Sequence, residues 1–142
     1  MLLKIKRLSP DAQIPRYAHP DDSGMDLAST AAAVLKPGEW TLVPTGLAIE
    51  LPPGTEAQIR PRSGLAARHA VTIANTPATI DEGYRGELKI IVINLGKTDF
   101  EIMKGMRIAQ MVICPVIRPE ITECDEFTET TRAASGFGST GV

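Results

Sequence analysis

The stretch 75–87 reads NTPATIDEGYRGE and concentrates side chains that can do chemistry. Asn75 offers both a hydrogen-bond donor and an acceptor, which suits the edge of a nucleobase. Asp81 precedes a turn signal and Tyr84 follows it, so a carboxylate stands beside an aromatic platform. That pair could activate a water molecule next to a stacked sugar or base. An ordinary surface hairpin with solvated carboxylates explains the same residues equally well.

A second segment, 60–64, reads RPRSG and places two arginines on either side of a proline. Ser63 is predicted to cap a short helix over residues 63–70, because Leu65, Ala66 and Ala67 favour helix. Free backbone N–H groups at a helix start, together with the Arg62 guanidinium, form a cradle for phosphate. The alternative is that Arg-Ser at this point is only a helix cap.

The last stretch, 120–142, is polar and rich in Thr, Ser and Gly. A segment of this composition cannot bury itself, so the sequence predicts a C-terminal arm that is mobile without a ligand. Arg132 and Phe137 lie among small residues and glycines near its end. These two residues favour a flap that becomes ordered over a ligand, and a plain disordered end is the alternative.

The elements that must position these residues are short strands separated by turns. Residues 47–51 alternate apolar and other residues, which predicts a half-buried strand, while the β-branched run 88–93 predicts a strand covered on both faces. Residues 107–116 form another such run. Little helix and many strands indicate an all-β sandwich, jelly roll or barrel, and no linker divides it. We expect one domain, with a core over 1–119 and an arm over 120–142.

Composition excludes several classes of function. The 142 residues carry a net charge of −2, so there is no electrostatic footprint for nucleic acid. No apolar run reaches the length of a membrane span, and the N-terminus lacks a signal-peptide pattern. The missing signal-peptide pattern makes a reducing cytoplasm the expected compartment, and the two cysteines make neither a metal motif nor a disulfide framework.

Five segments, taken in order, resemble the five motifs of the homotrimeric dUTPase family. They read GMDLAS at 24–29, PRSGLA at 61–66, NTPATIDEGYRGE at 75–87, GMRIAQ at 105–110 and RAASGFGSTG at 132–141. Each motif alone is weak, but the five together span nearly the whole chain. The resemblance implies a jelly-roll-like (β-clip) fold with one short helix and a flexible C-terminal arm. It also implies a homotrimer whose active sites are each shared between three subunits.

The resemblance implies magnesium-dependent hydrolysis of dUTP to dUMP and pyrophosphate. Asp81 is then the base that activates the water attacking the α-phosphorus, and Asp26 supports Mg²⁺ through water. Asn75 and the main chain of the hairpin read uracil, and Tyr84 packs under the deoxyribose. The implied substrate-binding residues are Arg62, Ser63, Gly64, Asn75, Thr79, Ile80, Tyr84, Gln110, Arg132, Phe137 and Gly138.

Three positions depart from the family pattern. Ala78 stands in the hairpin where the family usually has Gly, and it would carry a cost if that position required a positive φ. Ala133 and Ser135 stand in the arm where glycines are common, and either residue could stiffen the flap. These departures concern affinity and leave Asp81 untouched.

Two other functions remain as alternatives. The dCTP deaminase family resembles the chain around Ile80 to Tyr84, but those enzymes have a catalytic Glu at the place that Ile91 holds here. An apolar side chain cannot move the protons that deamination needs. The second alternative is a non-catalytic binding protein on the same trimeric scaffold, although such a protein would be free to lose Asp81, Tyr84 or Arg132.

Overall fold

The computed structural model describes residues 1–131 and 133–134, and within them it contains eleven strands and one helix. The prediction of an all-β chain with one short helix is confirmed. The elements are β1 (Lys4–Arg7), β2 (Met25–Ala28), β3 (Ala33–Leu35), β4 (Trp40–Pro44), β5 (Leu47–Glu50), β6 (Thr55–Pro61), α1 (Ser63–His69), β7 (Val71–Ile73), β8 (Ala78–Ile80), β9 (Lys89–Asn94), β10 (Phe100–Ile102) and β11 (Arg107–Pro115).

The strands form four antiparallel sheets that share one core. Their strand orders are β1-β5, β10-β3, β2-β11-β6-β8 and β4-β9-β7. A single apolar cluster draws residues from all four sheets, among them Leu47, Ile102, Leu27 and Ile90. Because most neighbouring strands are distant in sequence, the sheets are closed by long-range pairing, as in a jelly roll.

Burial of two strands differs from the sequence prediction. In β5, Leu47, Ala48 and Ile49 are all buried and Glu50 is exposed, so the first three residues of this strand are covered on both faces. In β9 the pattern is reversed. Its residues alternate between buried and more exposed positions, so Ile91 and Ile93 lie on a half-open face.

The short helix begins at Ser63, one residue earlier than the predicted Ser63 cap implies. Arg62 is the N-cap residue and makes no side-chain capping bond, so Ser63 is the first helical residue and does not cap the helix. Arg62 has extended backbone (φ −86°, ψ 127°) because it continues directly from β6. At the other end Ala70 closes the helix in the left-handed region, with φ 54°.

The last strand ends at Pro115, and residues 117–131 are exposed without helix or strand. The division into a core over 1–119 and an arm over 120–142 stays a prediction. In the part of the chain that the structure describes, no helix is long and apolar enough to cross a membrane.

Candidate functional site

A cavity of 440 Å³ opens beside the hairpin 75–87. The structure brings four of the predicted site residues together there, namely Thr79, Ile80, Asp81 and Tyr84. The rest of its wall consists of residues that sequence reasoning did not assign to substrate binding: Leu42, Glu87, Lys89 and Ile91. A cavity with a mixed apolar and charged wall of this volume can hold a small polar ligand.

Strand pairing puts these residues side by side. Strand β8 pairs with β6, where Ile80 lies opposite Ala57, and this fixes the first arm of the hairpin. Strand β9 carries the returning arm and pairs with β4, where Ile91 lies opposite Leu42. The cavity therefore lies where two different sheets meet at the hairpin.

Asp81 directly follows the end of β8 and is exposed to solvent. The Tyr84 N–H donates to the Asp81 carbonyl oxygen at 3.0 Å, which closes the turn. Within residues 1–131, no hydrogen bond or ion pair engages the Asp81 carboxylate. Its neighbour Glu82 is different, because its carboxylate accepts hydrogen bonds from the Gly54 N–H at 3.0 Å and from Arg118 at 3.4 Å. Asp81 is thus the carboxylate of this turn that is available to a ligand or a water molecule.

Tyr84 is held over the hairpin backbone. Its hydroxyl donates to the Glu87 carbonyl oxygen at 3.0 Å, and its ring covers Gly86. The side chain is 44% exposed, so one face of the ring remains open. An aromatic face fixed in this way can pack against a sugar or a base.

Glu87 is a cavity residue to which the sequence assigned no role. Its carboxylate accepts the Gly46 N–H at 2.9 Å and lies 3.6 Å from the Lys89 ammonium. Glu87 therefore ties the hairpin to the β4–β5 connection, and one of its two carboxylate oxygens is held by that bond. The only sequence signal was its place inside the motif.

A second cluster centres on Asp26 of β2. Its two carboxylate oxygens accept hydrogen bonds from Arg62 Nε at 2.9 Å and from an Arg107 terminal nitrogen at 3.0 Å. Gln110 lies opposite Asp26 in the β2–β11 register, and its side-chain amide donates to the Pro61 carbonyl oxygen at 2.9 Å. The cluster thus gathers two guanidinium groups and an amide, which suits an anionic group. Arg107 lies in the motif at 105–110, but no role was predicted for it.

A smaller cavity of 230 Å³ lies next to this cluster. It is lined by Arg16, Ala18, Asp22, Ser23, Gly24, Asp26 and Gln110. Neither cavity shares a lining residue with the other. Within the described part of one chain, the predicted site residues therefore fall into a hairpin half and a basic half.

The remaining predicted residues lie outside both cavity walls. Asn75 is exposed in the turn that follows β7, while Ser63 and Gly64 form the first turn of α1 beside Arg62. Arg132, Phe137 and Gly138 fall outside the residues that the structure describes. Their roles stay predictions.

The three departures from the family pattern differ in what the structure says about them. Ala78 is the first residue of β8 and is not in the left-handed region, so its methyl group causes no backbone strain. Ala133 has φ 43°, a conformation that glycine adopts more easily. Ser135 lies outside the described residues.

The side chains around Asp26 fit a hard cation only if a water molecule lies between the cation and the carboxylate. Within the described residues, no group of three His, Cys, Asp or Glu side chains could hold a metal ion. Both Asp26 oxygens already take a hydrogen bond from an arginine, but each retains a lone pair for a water molecule. Mg²⁺ keeps several waters and prefers phosphate oxygens, so such an outer position suits it.

Comparison with known proteins gives a consistent result. The family model for dUTPase matches residues 10–141. The chain is 58% identical to the deoxyuridine 5'-triphosphate nucleotidohydrolase of Gloeothece citriformis, covering 100% of this chain and 98% of that protein. It is 58% identical to the protein of the same name from Clostridioides difficile, covering 98% of this chain and 97% of that protein.

Solved structures agree with the sequence relatives. The structure is similar to the dUTPase of Staphylococcus bacteriophage 80alpha with dUPNHPP, at TM-score 0.93 and 31% identity, covering 99% of each chain. It is also similar to a mutant dUTPase from phage phi11 of S. aureus, at TM-score 0.85 and 26% identity, covering 91% of this chain and 100% of that one. The phi11 structure is described in terms of the coordination of a structural Mg(II) ion.

Proposed function

This chain belongs to the dUTPase family, and from that premise we propose that it hydrolyses dUTP to dUMP and pyrophosphate. The observation that carries the proposal is the position of the Asp81 carboxylate and its lack of partners. Its carboxylate lines the cavity next to Tyr84, and no other group among residues 1–131 engages it. A carboxylate in that state can accept a proton from water.

The reaction proceeds by attack of one water molecule. Asp81 takes a proton from the water while the water oxygen forms a bond to the α-phosphorus. The bond between that phosphorus and the bridging oxygen to the β-phosphorus breaks, and the electron pair leaves with pyrophosphate. A positioned general base contributes roughly 10²–10⁴-fold to such a step.

The hairpin half of the site recognises the nucleoside. Thr79 and Ile80 present the edge of β8 to the cavity, and Asn75 supplies a donor and an acceptor in the preceding turn. A main-chain edge that belongs to a paired strand is rigid, and its fixed hydrogen-bond pattern leaves the wrong base with unpaired polar groups. Tyr84 packs under the deoxyribose and leaves no room for a 2′-hydroxyl.

The basic half of the site binds the phosphate chain. Arg62 and Gln110, with Ser63 and Gly64 at the start of α1, provide donors for phosphate oxygens. Asp26 orients Arg62 through the 2.9 Å ion pair. The arm contributes Arg132, Phe137 and Gly138, which close over the γ-phosphate and the uracil.

Magnesium completes the charge balance of the substrate. Asp26 would hold it through a water molecule, beside the phosphate oxygens that the arginines bind. When bound, Mg²⁺ neutralises charge on the triphosphate and on the departing pyrophosphate. Arg62 and Arg107 keep the Asp26 carboxylate fixed for that purpose.

The assembly we propose is a homotrimer with shared active sites. The two halves of the site lie in separate cavities of one chain, so a neighbouring subunit can supply the missing half. Exposed apolar side chains on β3 and β4, namely Val34, Trp40 and Leu42, offer surface for such contacts.

The compartment we propose is the cytoplasm. Both cysteines are free thiols, which suits that reducing compartment. There the enzyme would limit uracil incorporation into DNA and supply dUMP for dTMP synthesis.

Deamination of dCTP is the nearest other reaction, and the cavity disfavours it. Ile91 lines the wall at the place of the deaminase Glu, and it is aliphatic. Glu87 is the other carboxylate of the cavity wall, but it is bound to the Gly46 N–H and lies beside Lys89. Within this wall, Asp81 is thus the carboxylate that no group among residues 1–131 engages, whereas deamination needs a second group for its additional proton transfers.

Incubation of the protein with each deoxynucleoside triphosphate and Mg²⁺ tests the proposal. Pyrophosphate and ammonia are measured for each substrate. We expect pyrophosphate from dUTP alone and ammonia from none of them. Ammonia from dCTP would instead establish a deaminase, and the absence of both products would indicate the non-catalytic binding protein.

A further inference from the structure

The ring of Tyr84 lies directly on Gly86. A methyl group built on Gly86 would stand 2.6 Å from Cζ and 3.0 Å from Cε2 of Tyr84, and it would also collide with the phenol oxygen. Carbon atoms in contact prefer about 3.5–4.0 Å. No residue other than glycine can therefore occupy position 86 unless the ring moves.

The backbone itself does not require glycine at this position. The glycines with positive φ among the described residues are Gly38, Gly46, Gly54 and Gly105. Gly86 is not one of them, so an L-residue could adopt its conformation. The need for glycine comes from the space that the ring occupies.

The ring cannot move without consequence. Its hydroxyl donates to the Glu87 carbonyl oxygen at 3.0 Å, and the Glu87 carboxylate is itself bound to the Gly46 N–H at 2.9 Å. A side chain at position 86 would break the phenol bond and push the ring away from the backbone. Because Tyr84 forms part of the cavity wall, that displacement carries it towards the space proposed for the sugar.

We propose that Gly86 is a specificity-determining positioning residue, which sets the height of the Tyr84 ring and thereby the room left beneath the sugar. The inference rests on the proposed function, because it assumes that Tyr84 packs under deoxyribose. It assigns the discrimination between deoxyribose and ribose to two residues acting together. Gly86 touches no substrate and acts only through the ring.

The test compares Gly86→Ala with Gly83→Ala. Gly83 lies in the same hairpin, has no positive φ, and a methyl group added there would meet no atom within 4 Å. The measurement is kcat/KM for dUTP and for UTP with Mg²⁺ present. We expect the preference for dUTP over UTP to fall by about tenfold or more in Gly86→Ala, mainly through KM for dUTP, and to stay unchanged in Gly83→Ala.

A third variant separates the ring from any other effect. In a chain that already carries Tyr84→Ala, adding Gly86→Ala should change neither the substrate preference nor the melting temperature, because the colliding ring is gone. If Gly86→Ala is too unstable to assay, this double variant should recover the melting temperature. Failure to recover it would place the collision elsewhere and overturn the proposal.

The outcomes also separate this inference from the proposed function. If the unaltered protein hydrolyses dUTP and Gly86→Ala keeps its preference over UTP, the inference is wrong and the proposed function stands. If the unaltered protein and Gly83→Ala both fail to hydrolyse dUTP, the proposed function is wrong and the inference falls with it.

Discussion

Asp26→Asn is the substitution that most sharply tests the organisation of the basic half. Asn keeps the shape of the side chain and removes its charge. Its oxygen can still accept from one arginine, but its NH2 group then faces the other arginine as a second donor. One of the two bonds, to Arg62 at 2.9 Å or to Arg107 at 3.0 Å, must therefore be lost.

The magnitude follows from the exposure of the three side chains. A charge-assisted hydrogen bond contributes about 1.5–3 kcal/mol, and an exposed ion pair about 0.2–1 kcal/mol. Asp26 and Arg62 are 27% and 29% exposed, whereas Arg107 is 59% exposed. The loss in free energy of unfolding should thus be about 1–3 kcal/mol, most of it from the Arg62 bond, which corresponds to about 3–10 °C in melting temperature.

The assay pairs thermal melting with kinetics, at one fixed protein concentration because subunit assembly shifts the melting temperature. Asp11→Asn is the control, since it removes the same charge from the exposed Lys104–Asp11 pair. Asp26→Asn should also lower kcat/KM for dUTP by about tenfold or more at saturating Mg²⁺, through an increase in KM. A melting temperature no lower than that of Asp11→Asn, with unchanged kcat/KM, would refute the anchoring role of Asp26.

Two further predictions concern parts of the chain away from these clusters. The Lys4 ammonium, donating to Glu50 at 2.6 Å, holds the pKa of Glu50 below its ordinary value of 4.5, and the charges of Lys4 and Arg85 add to this. A lowered folded-state pKa gives stability that is present above the unfolded pKa and lost as pH falls through the folded one. Glu50→Gln should therefore lower the melting temperature at pH 7, and its difference from the unaltered protein should shrink below pH 4.5; a difference independent of pH would contradict this. Truncation after Thr131 should impair dUTP hydrolysis sharply while leaving the circular dichroism of the strands unchanged, because it removes the proposed flap; an unaffected rate would show that the arm takes no part.

The sequence predicted the chemistry of the hairpin better than its surroundings. Thr79, Ile80, Asp81 and Tyr84 are close in sequence, and a tight turn brings such residues together in any hairpin. Leu42 lies far away in sequence, and it reaches the cavity only because β4 pairs with β9. The hydrophobic pattern of a strand fixes which of its faces is buried, but it does not say which distant strand lies beside it.

The same reason explains the missed network around Asp26. Arg62 follows the end of β6 and Arg107 begins β11, and the antiparallel pairing of β2, β11 and β6 brings both to one carboxylate. The Ser63 cap was wrong because β6 runs directly into the helix, so the extended Arg62 occupies the cap position. The predicted half-burial of β5 was also wrong, since alternation in sequence describes one covered face and cannot show that the face of Ala48 is covered as well.

The most direct test of the central claim is single-turnover hydrolysis of dUTP by Asp81→Asn, with Glu82→Gln as the matched control. Glu82 is adjacent, but its carboxylate is bound to the Gly54 N–H and it does not line the cavity. We expect Asp81→Asn to bind dUTP and to lower the hydrolysis rate by roughly 10²–10⁴-fold, while Glu82→Gln keeps a near-normal rate. A near-normal rate in Asp81→Asn would remove Asp81 from the role of general base.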